Sequence, residues 1–192
     1  MNRAADVAIA GLGLALASPL LVASALAVKL TDGGAVLFRQ QRVGLDGRDF
    51  ELLKLRTMVV GAEGKGAGYA VERGDPRITR AGRLLRRTSI DELPQLWNVL
   101  RGDMSIVGPR PTLRYQVDRY TDNQRKRLAV RPGLTGWAQV HGRAELPWAE
   151  RIELDVWYVE HRSVALDLKI LLRTPLALVG GTYKGDKGGW KG

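Results

Sequence analysis

Asp91 and Glu92 are adjacent carboxylates in the segment Thr88-Ser89-Ile90-Asp91-Glu92-Leu93-Pro94-Gln95-Leu96. Arg80, Arg83, Arg86 and Arg87 lie just before them, and Arg101 and Arg110 follow. A carboxylate among guanidinium groups stays ionised and can hold a divalent cation, while arginines offer paired contacts to phosphate. Charge neutralisation, an in-line nucleophile and a base for the acceptor are the parts that phosphoryl transfer needs. Ser89 followed by Glu92 has capping-box spacing, and Pro94 is tolerated only near a helix start. The segment therefore reads as a helix beginning at about Ser89, its N–H groups open to a phosphate. Both acids would then sit in the first turn, where the helix dipole alone favours them. Local physics leaves two readings open, a helix terminus and a catalytic pair.

A third acid stands out by its spacing. Over Pro147 to His161, the residues Trp148, Ile152, Asp155 and Val159 recur at helical intervals, which puts Asp155 inside the apolar stripe. A carboxylate held inward needs a metal or a cationic partner. A structural ion pair with one of the many arginines and a functional role carry similar weight here.

The whole chain is basic, with 30 Lys and Arg against 20 Asp and Glu, a formal charge of +10. That excess points to nucleic acid, phosphorylated small molecules or an acidic membrane face. Cysteine is absent, which excludes disulfides, zinc–thiolate sites and thiol nucleophiles. Two histidines, His141 and His161, are too few for a multi-histidine metal centre. With 192 residues, 45% of them hydrophobic, the chain suits one domain with a real core.

The elements that must position these residues follow from pattern. Ala35 to Phe38 and Phe50 to Leu55 read as strands joined by the turn Gly44-Leu45-Asp46-Gly47. Gly61 to Pro76 reads as a mobile loop, and helical periodicity dominates from Arg77 onward. In Thr79 to Arg87, Arg80, Arg83, Leu84 and Arg87 share a face that is either solvated or laid against anionic groups. Leu166 to Val179 is strongly apolar, with Lys169 and Arg173 on one side; it fits a core helix or one resting on a membrane. The expected fold is α+β and mainly helical, with a small β-hairpin and amphipathic interfacial helices. Residues 1–30 are expected to form a membrane segment, 31–180 a catalytic domain and 181–192 a peripheral tail.

The membrane segment is the uncharged run Val7 to Val28, long enough to cross a bilayer as a straight helix. Ser18-Pro19 interrupts it midway, and Pro19 removes a backbone bond. Arg3 before the run and Lys29 after it give no charge asymmetry. A re-entrant helix broken at Ser18-Pro19 is therefore expected over a kinked spanning helix. The rival is a secretory signal peptide, for which Ala23-Ser24-Ala25 and Ala25-Leu26-Ala27 offer cleavage-like sites.

Four blocks then occur in order. They are Lys54-Leu55-Arg56-Thr57-Met58, the Asp91 to Leu96 block, Gly102-Asp103-Met104-Ser105-Ile106-Val107-Gly108-Pro109-Arg110-Pro111, and Arg131-Pro132-Gly133-Leu134-Thr135-Gly136-Trp137-Ala138-Gln139-Val140. Together they closely resemble the bacterial sugar transferases, the monotopic polyprenyl-phosphate glycosyl-1-phosphate transferases. The resemblance runs from Ser18-Pro19 to about Leu172 and suits the minimal catalytic form of that family. It implies that Asp91 attacks the sugar-bearing phosphate of a UDP-sugar, releases UMP and carries the phosphosugar. Polyprenyl phosphate then takes the group, with Glu92 as base and Mg²⁺ bound at Asp91 and the donor diphosphate. Lys54, Arg87 and Arg110 match phosphate-binding positions, Asp155 matches an acidic one, and Arg131 and Gln139 match donor contacts. At His141 the family pattern has Asn. The implied partners are the donor, the acceptor, membrane lipids and, as an open alternative, a second copy of the chain, with no nucleic acid. The implied location is the inner membrane, with the catalytic part on the cytoplasmic face. A reading from another class, a membrane-tethered basic protein that binds nucleic acid or other anions, accounts for the charge but leaves inward Asp155 without a role.

Overall fold

The computed structural model describes residues 2–62, 74–142 and 146–179. The tail from 181 to 192 and most of the Gly61 to Pro76 loop lie outside the described residues.

Helix α1 spans Arg3–Asp32, capped at its start by the Asn2 side chain and ended by left-handed Gly33. Pro19 lies inside it, so the break expected at Ser18-Pro19 takes the form of one missing bond in a continuous helix. The carbonyl orphaned by Pro19 is that of Ala15, and the Ser18 hydroxyl donates to it at 2.8 Å. Serine before proline thus repairs the defect that proline creates. The helix leaves Leu12, Leu16, Leu20, Val22, Leu26 and Leu30 exposed along its length. Both of its ends are nonetheless held by the same globular body. At the start, Arg3 donates to the carbonyls of Val99 and Leu100, and buried Asp6 accepts from Ser105 Oγ and the Ile106 N–H. At the far end, Arg56 grips Asp32 through two bonds of 2.5 and 2.6 Å and also donates to Ala35 O.

Strands β1, Leu37–Val43, and β2, Asp49–Leu55, form the antiparallel hairpin, in register from Leu37 opposite Leu55 to Val43 opposite Asp49. The turn falls where glycine spacing put it, at residues 44–48; the first strand starts two residues later than the pattern suggested and runs on to the turn. Helix α2, Arg80–Thr88, is capped by Thr79 and crosses so close to Thr57 that a Cβ on Gly82 would lie 2.0 Å from the Thr57 carbonyl oxygen. Helix α3, Gln95–Arg101, follows and ends at left-handed Gly102.

Asn98 on α3 fixes the hairpin against the helix. It is fully buried; its Oδ1 accepts from the Leu53 N–H at 3.0 Å and its Nδ2 donates to Glu51 O at 2.7 Å. One amide side chain therefore pairs with the free edge of β2 as another strand would.

Strands β3, Ser105–Val107, and β4, Gly133–Thr135, are parallel and three residues each, too short for any alternation to announce them in the sequence. Their junction needs glycine, because a Cβ at Gly133 would lie 2.1 Å from Gly108 N and one at Gly136 2.1 Å from Gly108 O. Short helices α4, Arg114–Val117, α5, Asp122–Arg125, and α6, Trp137–Val140, lead to α7, Trp148–His161, and α8, Val164–Val179. Helix α7 buries Ile152 and Asp155 as its periodicity required. Helix α8 is neither wholly core nor wholly free: Ile170 and Asp167 are buried, whereas Val164, Leu168, Leu172 and Leu176 face outward. The main core joins Ala10 of α1 to Phe50, Leu52, Leu96, Val99, Met104, Ile106, Tyr158 and Ile170.

Removing the Asn98 amide strands a backbone donor and acceptor in the interior. Asn98→Ala is expected to lower stability by roughly 2–4 kcal/mol, read as a reduced denaturation midpoint in detergent. An unchanged midpoint would show that the hairpin is held to α3 by apolar packing alone.

Candidate active site

Helix α2 stops at Thr88 because Ser89 adopts the left-handed conformation, with φ of 56°. The N–H of Ser89 returns to the carbonyls of Arg86 and Leu85, and a 3₁₀ turn, Ile90–Glu92, carries the two acids. The helical start expected at about Ser89 is present as a 3₁₀ turn with Ser89 as its N-cap and both acids in it, but no side-chain capping bond forms. Leu93 and Pro94 keep right-handed helical angles into α3, which begins at Gln95.

A 3₁₀ turn rotates successive side chains by about 120°, so adjacent acids face different neighbours. Glu92 meets Lys54 Nζ from β2 at 3.0 Å and Arg110 Nη2 at 2.6 Å, both on the same oxygen, Oε1; Arg110 Nη1 reaches Oε2 at 3.4 Å. Burial opposes ionisation of Glu92, but Arg110 and Lys54 outweigh it and hold the carboxyl far below its usual range. Asp91 is 8% exposed, and no hydrogen bond or ion pair from the described residues reaches its carboxylate. Burial, followed by the charge of Glu92, pushes its pKa up to about 6, against the pull of Lys54, Arg86 and Arg110. The site thus separates a clamped acid from an unclamped, more basic one.

Of the three residues matched to phosphate-binding positions, Lys54 and Arg110 are brought together at Glu92, whereas Arg87 is not. Arg87 is exposed on the outer face of α2, and one residue earlier Arg86 turns inward. Its Nε donates to Thr57 Oγ1 at 2.6 Å, and its charge acts on Asp91. Helical spacing from the Thr79 cap, which buries Gly82 and Leu85, was the signal that separates the two arginines.

Asp155 is buried, but its partner is Arg127, also buried. Arg127 donates in addition to Tyr120 Oη at 2.5 Å and to the backbone carbonyl of Arg110 at 2.9 Å. The inward acid therefore braces the chain behind Arg110 through Arg127, and of the two readings its spacing left open the structure shows the ion pair with an arginine. Arg127 itself, within Arg125-Lys126-Arg127, carried no sequence signal, since such a run reads as solvated. Arg131 donates to Gly102 O at 2.9 Å, at the end of α3 opposite the acids, so it is not gathered into the site. Gln139 is buried against Gly136, with its Oε1 2.7 Å from where a Cβ on that glycine would sit, and neither atom of its amide has a partner. His141 accepts or shares a proton with Arg173 at 3.2 Å and packs on Trp137.

Among the described residues no three His, Asp or Glu side chains gather into a metal cage. Mg²⁺ is commonly held by one or two carboxylates together with substrate phosphates, and the unpaired Asp91 carboxylate fits that donor set.

A family model described as bacterial sugar transferase matches residues 1–181. An uncharacterized sugar transferase of Bacillus subtilis is 46% identical over 174 residues, covering 91% of this chain and 85% of that protein. A UDP-glucose:undecaprenyl-phosphate glucose-1-phosphate transferase of Caulobacter vibrioides is 50% identical over 187 residues, 93% of this chain and 69% of that one. A UDP-N-acetylgalactosamine-undecaprenyl-phosphate N-acetylgalactosaminephosphotransferase of Aeromonas hydrophila is 43% identical over 180 residues, 91% of this chain and 42% of that one.

If Asp155 is a brace, Asp155→Asn leaves a buried guanidinium uncompensated and should cost roughly 3–5 kcal/mol of stability. Replacing both partners by apolar residues, Arg127→Met with Asp155→Leu, should recover most of that loss. A single variant with wild-type stability and no activity would instead put Asp155 on the substrate.

Proposed function

The chain belongs to the bacterial sugar transferase family, and on that premise we propose that it moves a sugar-1-phosphate from a UDP-sugar to undecaprenyl phosphate. The printed activities of the Caulobacter and Aeromonas relatives support the reaction, and their different sugars leave the hexose to experiment. The observation that carries the proposal is the unpaired Asp91 carboxylate lying next to an anion clamped by Lys54 and Arg110.

In the first step an Asp91 oxygen attacks the sugar-bearing phosphorus. The bridging bond between the two phosphorus atoms breaks, UMP leaves with that bridging oxygen, and a phosphosugar stays on Asp91. In the second step an oxygen of undecaprenyl phosphate attacks the same phosphorus. The bond to Asp91 breaks, its carboxylate is restored, and the product is an undecaprenyl diphosphate sugar. Lys54, Arg110 and Arg86 surround the reacting group with positive charge that is already in place, which lowers the cost of charge development. Asp91 would hold Mg²⁺ together with the donor diphosphate, the ion supplying further neutralisation there. Glu92 was expected to act as base, but its ion pairs make it a weak proton acceptor. The second step does not need a strong one, because a phosphate monoester is largely ionised at neutral pH.

Lipid is the natural surroundings of an outward row of leucines on α1, and exposed Leu84 and Trp97 lie on α2 and α3, which pack against that helix. We infer that α1 enters and leaves the cytoplasmic membrane from the cytoplasmic face. Both its ends are tied to one body by polar groups, and a spanning helix would put those ends on opposite sides.

Mg²⁺-dependent UMP release, assayed over a panel of UDP-sugars with undecaprenyl phosphate, tests the reaction. Intact-mass analysis should find a phosphosugar adduct that disappears in Asp91→Asn. No UMP from any donor overturns the reaction, and an undiminished adduct in the variant removes Asp91 as nucleophile. For topology, the cysteine-free chain allows single probes at Ala4→Cys and Thr31→Cys. An impermeant maleimide should label both from the same side; labelling from opposite sides means the helix spans.

A further inference from the structure

Two cations from separate elements converge on a single carboxylate oxygen of Glu92. Lys54 stands 38 residues before it and Arg110 18 after it, at 3.0 and 2.6 Å from Oε1. The second oxygen receives only the 3.4 Å contact from Arg110. A carboxylate serves such a pair poorly, since one oxygen is shared and the other is nearly idle. A phosphoryl group, with several non-bridging oxygens, can give each cation its own acceptor. The nucleophile proposed above is the next residue in the chain, so the place where Lys54 and Arg110 meet is beside the atom that must reach phosphorus.

We propose that Glu92 is the internal occupant of a phosphate seat formed by Lys54 and Arg110, and that the donor enters by exchanging with it. This rests on the reading of the chain as a phosphosugar transferase and assigns Glu92 a task within it. In the empty enzyme Glu92 keeps the ammonium and the guanidinium together, which would otherwise repel each other at close range. On donor binding the phosphoryl oxygens take both cations and the carboxylate is released. Arg110 remains 47% exposed, so the seat is open to an arriving ligand. The exchange also sets a threshold. A monoanion with one good acceptor gains little over the carboxylate already present, whereas a diphosphate or a dianionic phosphate replaces it with better-distributed bonds. Glu92 therefore acts as a selectivity residue and as a positioning residue for Lys54 and Arg110.

The test reads ligand binding without turnover. Titration calorimetry of the full chain in detergent, with EDTA present, measures the affinity for inorganic phosphate and for UMP in wild type, Glu92→Gln and Asp91→Asn. The expected result is phosphate binding at least tenfold tighter in Glu92→Gln, with chloride now competing for the site as it does not in wild type. Asp91→Asn removes the same charge one residue away and should give a much smaller gain. Lys54→Met added to Glu92→Gln should abolish the gain. Unchanged or weaker phosphate binding in a folded Glu92→Gln protein overturns the proposal. So does an equal gain in Asp91→Asn, which would mark a bulk charge effect. Because no donor is consumed, the outcome is independent of the UMP-release assay. A chain that turns over normally but fails here loses the exchange alone.

Discussion

Two carboxylates side by side in a mostly buried turn repel each other, and the structure depends on how that repulsion is resolved. Among the described residues only Glu92 of the two is ion-paired, to one cation from β2 and one from the loop after β3. Once Glu92 is held ionised, its charge joins burial in lifting Asp91 to about 6. Several elements around the site hold those two cations in place. The Asn98 amide seats β2, and hence Lys54, on α3. Arg127, balanced by Asp155, grips the carbonyl of Arg110, and the contact of Gly108 with Gly133 and Gly136 packs the preceding loop onto β4.

The apolar helix α1 is joined to the same arrangement. Residues 54 to 58 send their side chains to three destinations: Lys54 to the acids, Arg56 to Asp32 at the end of α1, and Thr57 to Arg86 of α2. Three side chains, Lys54, Arg56 and Thr57, thus connect the candidate site, the apolar helix and the basic helix. At the other end of α1, Arg3 satisfies carbonyls at the end of α3, the helix whose first residues follow the acids. The placement of the exposed apolar face of α1 relative to Asp91 is set by short polar contacts at both helix ends.

The parts legible in the sequence were those with a local cause. The hairpin followed from Gly44 to Gly47, and the buried face of α7 from helical spacing; that spacing also required a partner for Asp155. It could not say which arginine, because Arg127 looks like any other member of a basic run until α7 packs over it. Ser89 shows the opposite failure. The pattern Ser-x-x-Glu has the same letters in a capping box and here, where φ of 56° at Ser89 ends α2 and makes Glu92 available to Lys54 and Arg110. Tertiary cations, absent from any local window, decided between the two. Strands β3 and β4 were illegible for a simpler reason: three residues are too few to show a period.

A local rule failing at Ser89 fits the demand on this turn. Had the acids begun a regular helix, adjacent side chains would diverge by about 100° and both would sit over the N-terminal N–H groups. Each acid would then be stabilised by the same amide field, with little to tell them apart. In the 3₁₀ turn after left-handed Ser89 the two acids face different neighbours, and it is Glu92 that Lys54 and Arg110 reach. An L-residue at positive φ costs of order 1 kcal/mol, a small sum beside what it makes possible. Asp91 and Glu92, identical in chemistry and adjacent in sequence, become one free carboxylate and one ion-paired carboxylate. The difference between them is made by the backbone of a single serine and by two cations that arrive from elsewhere in the chain.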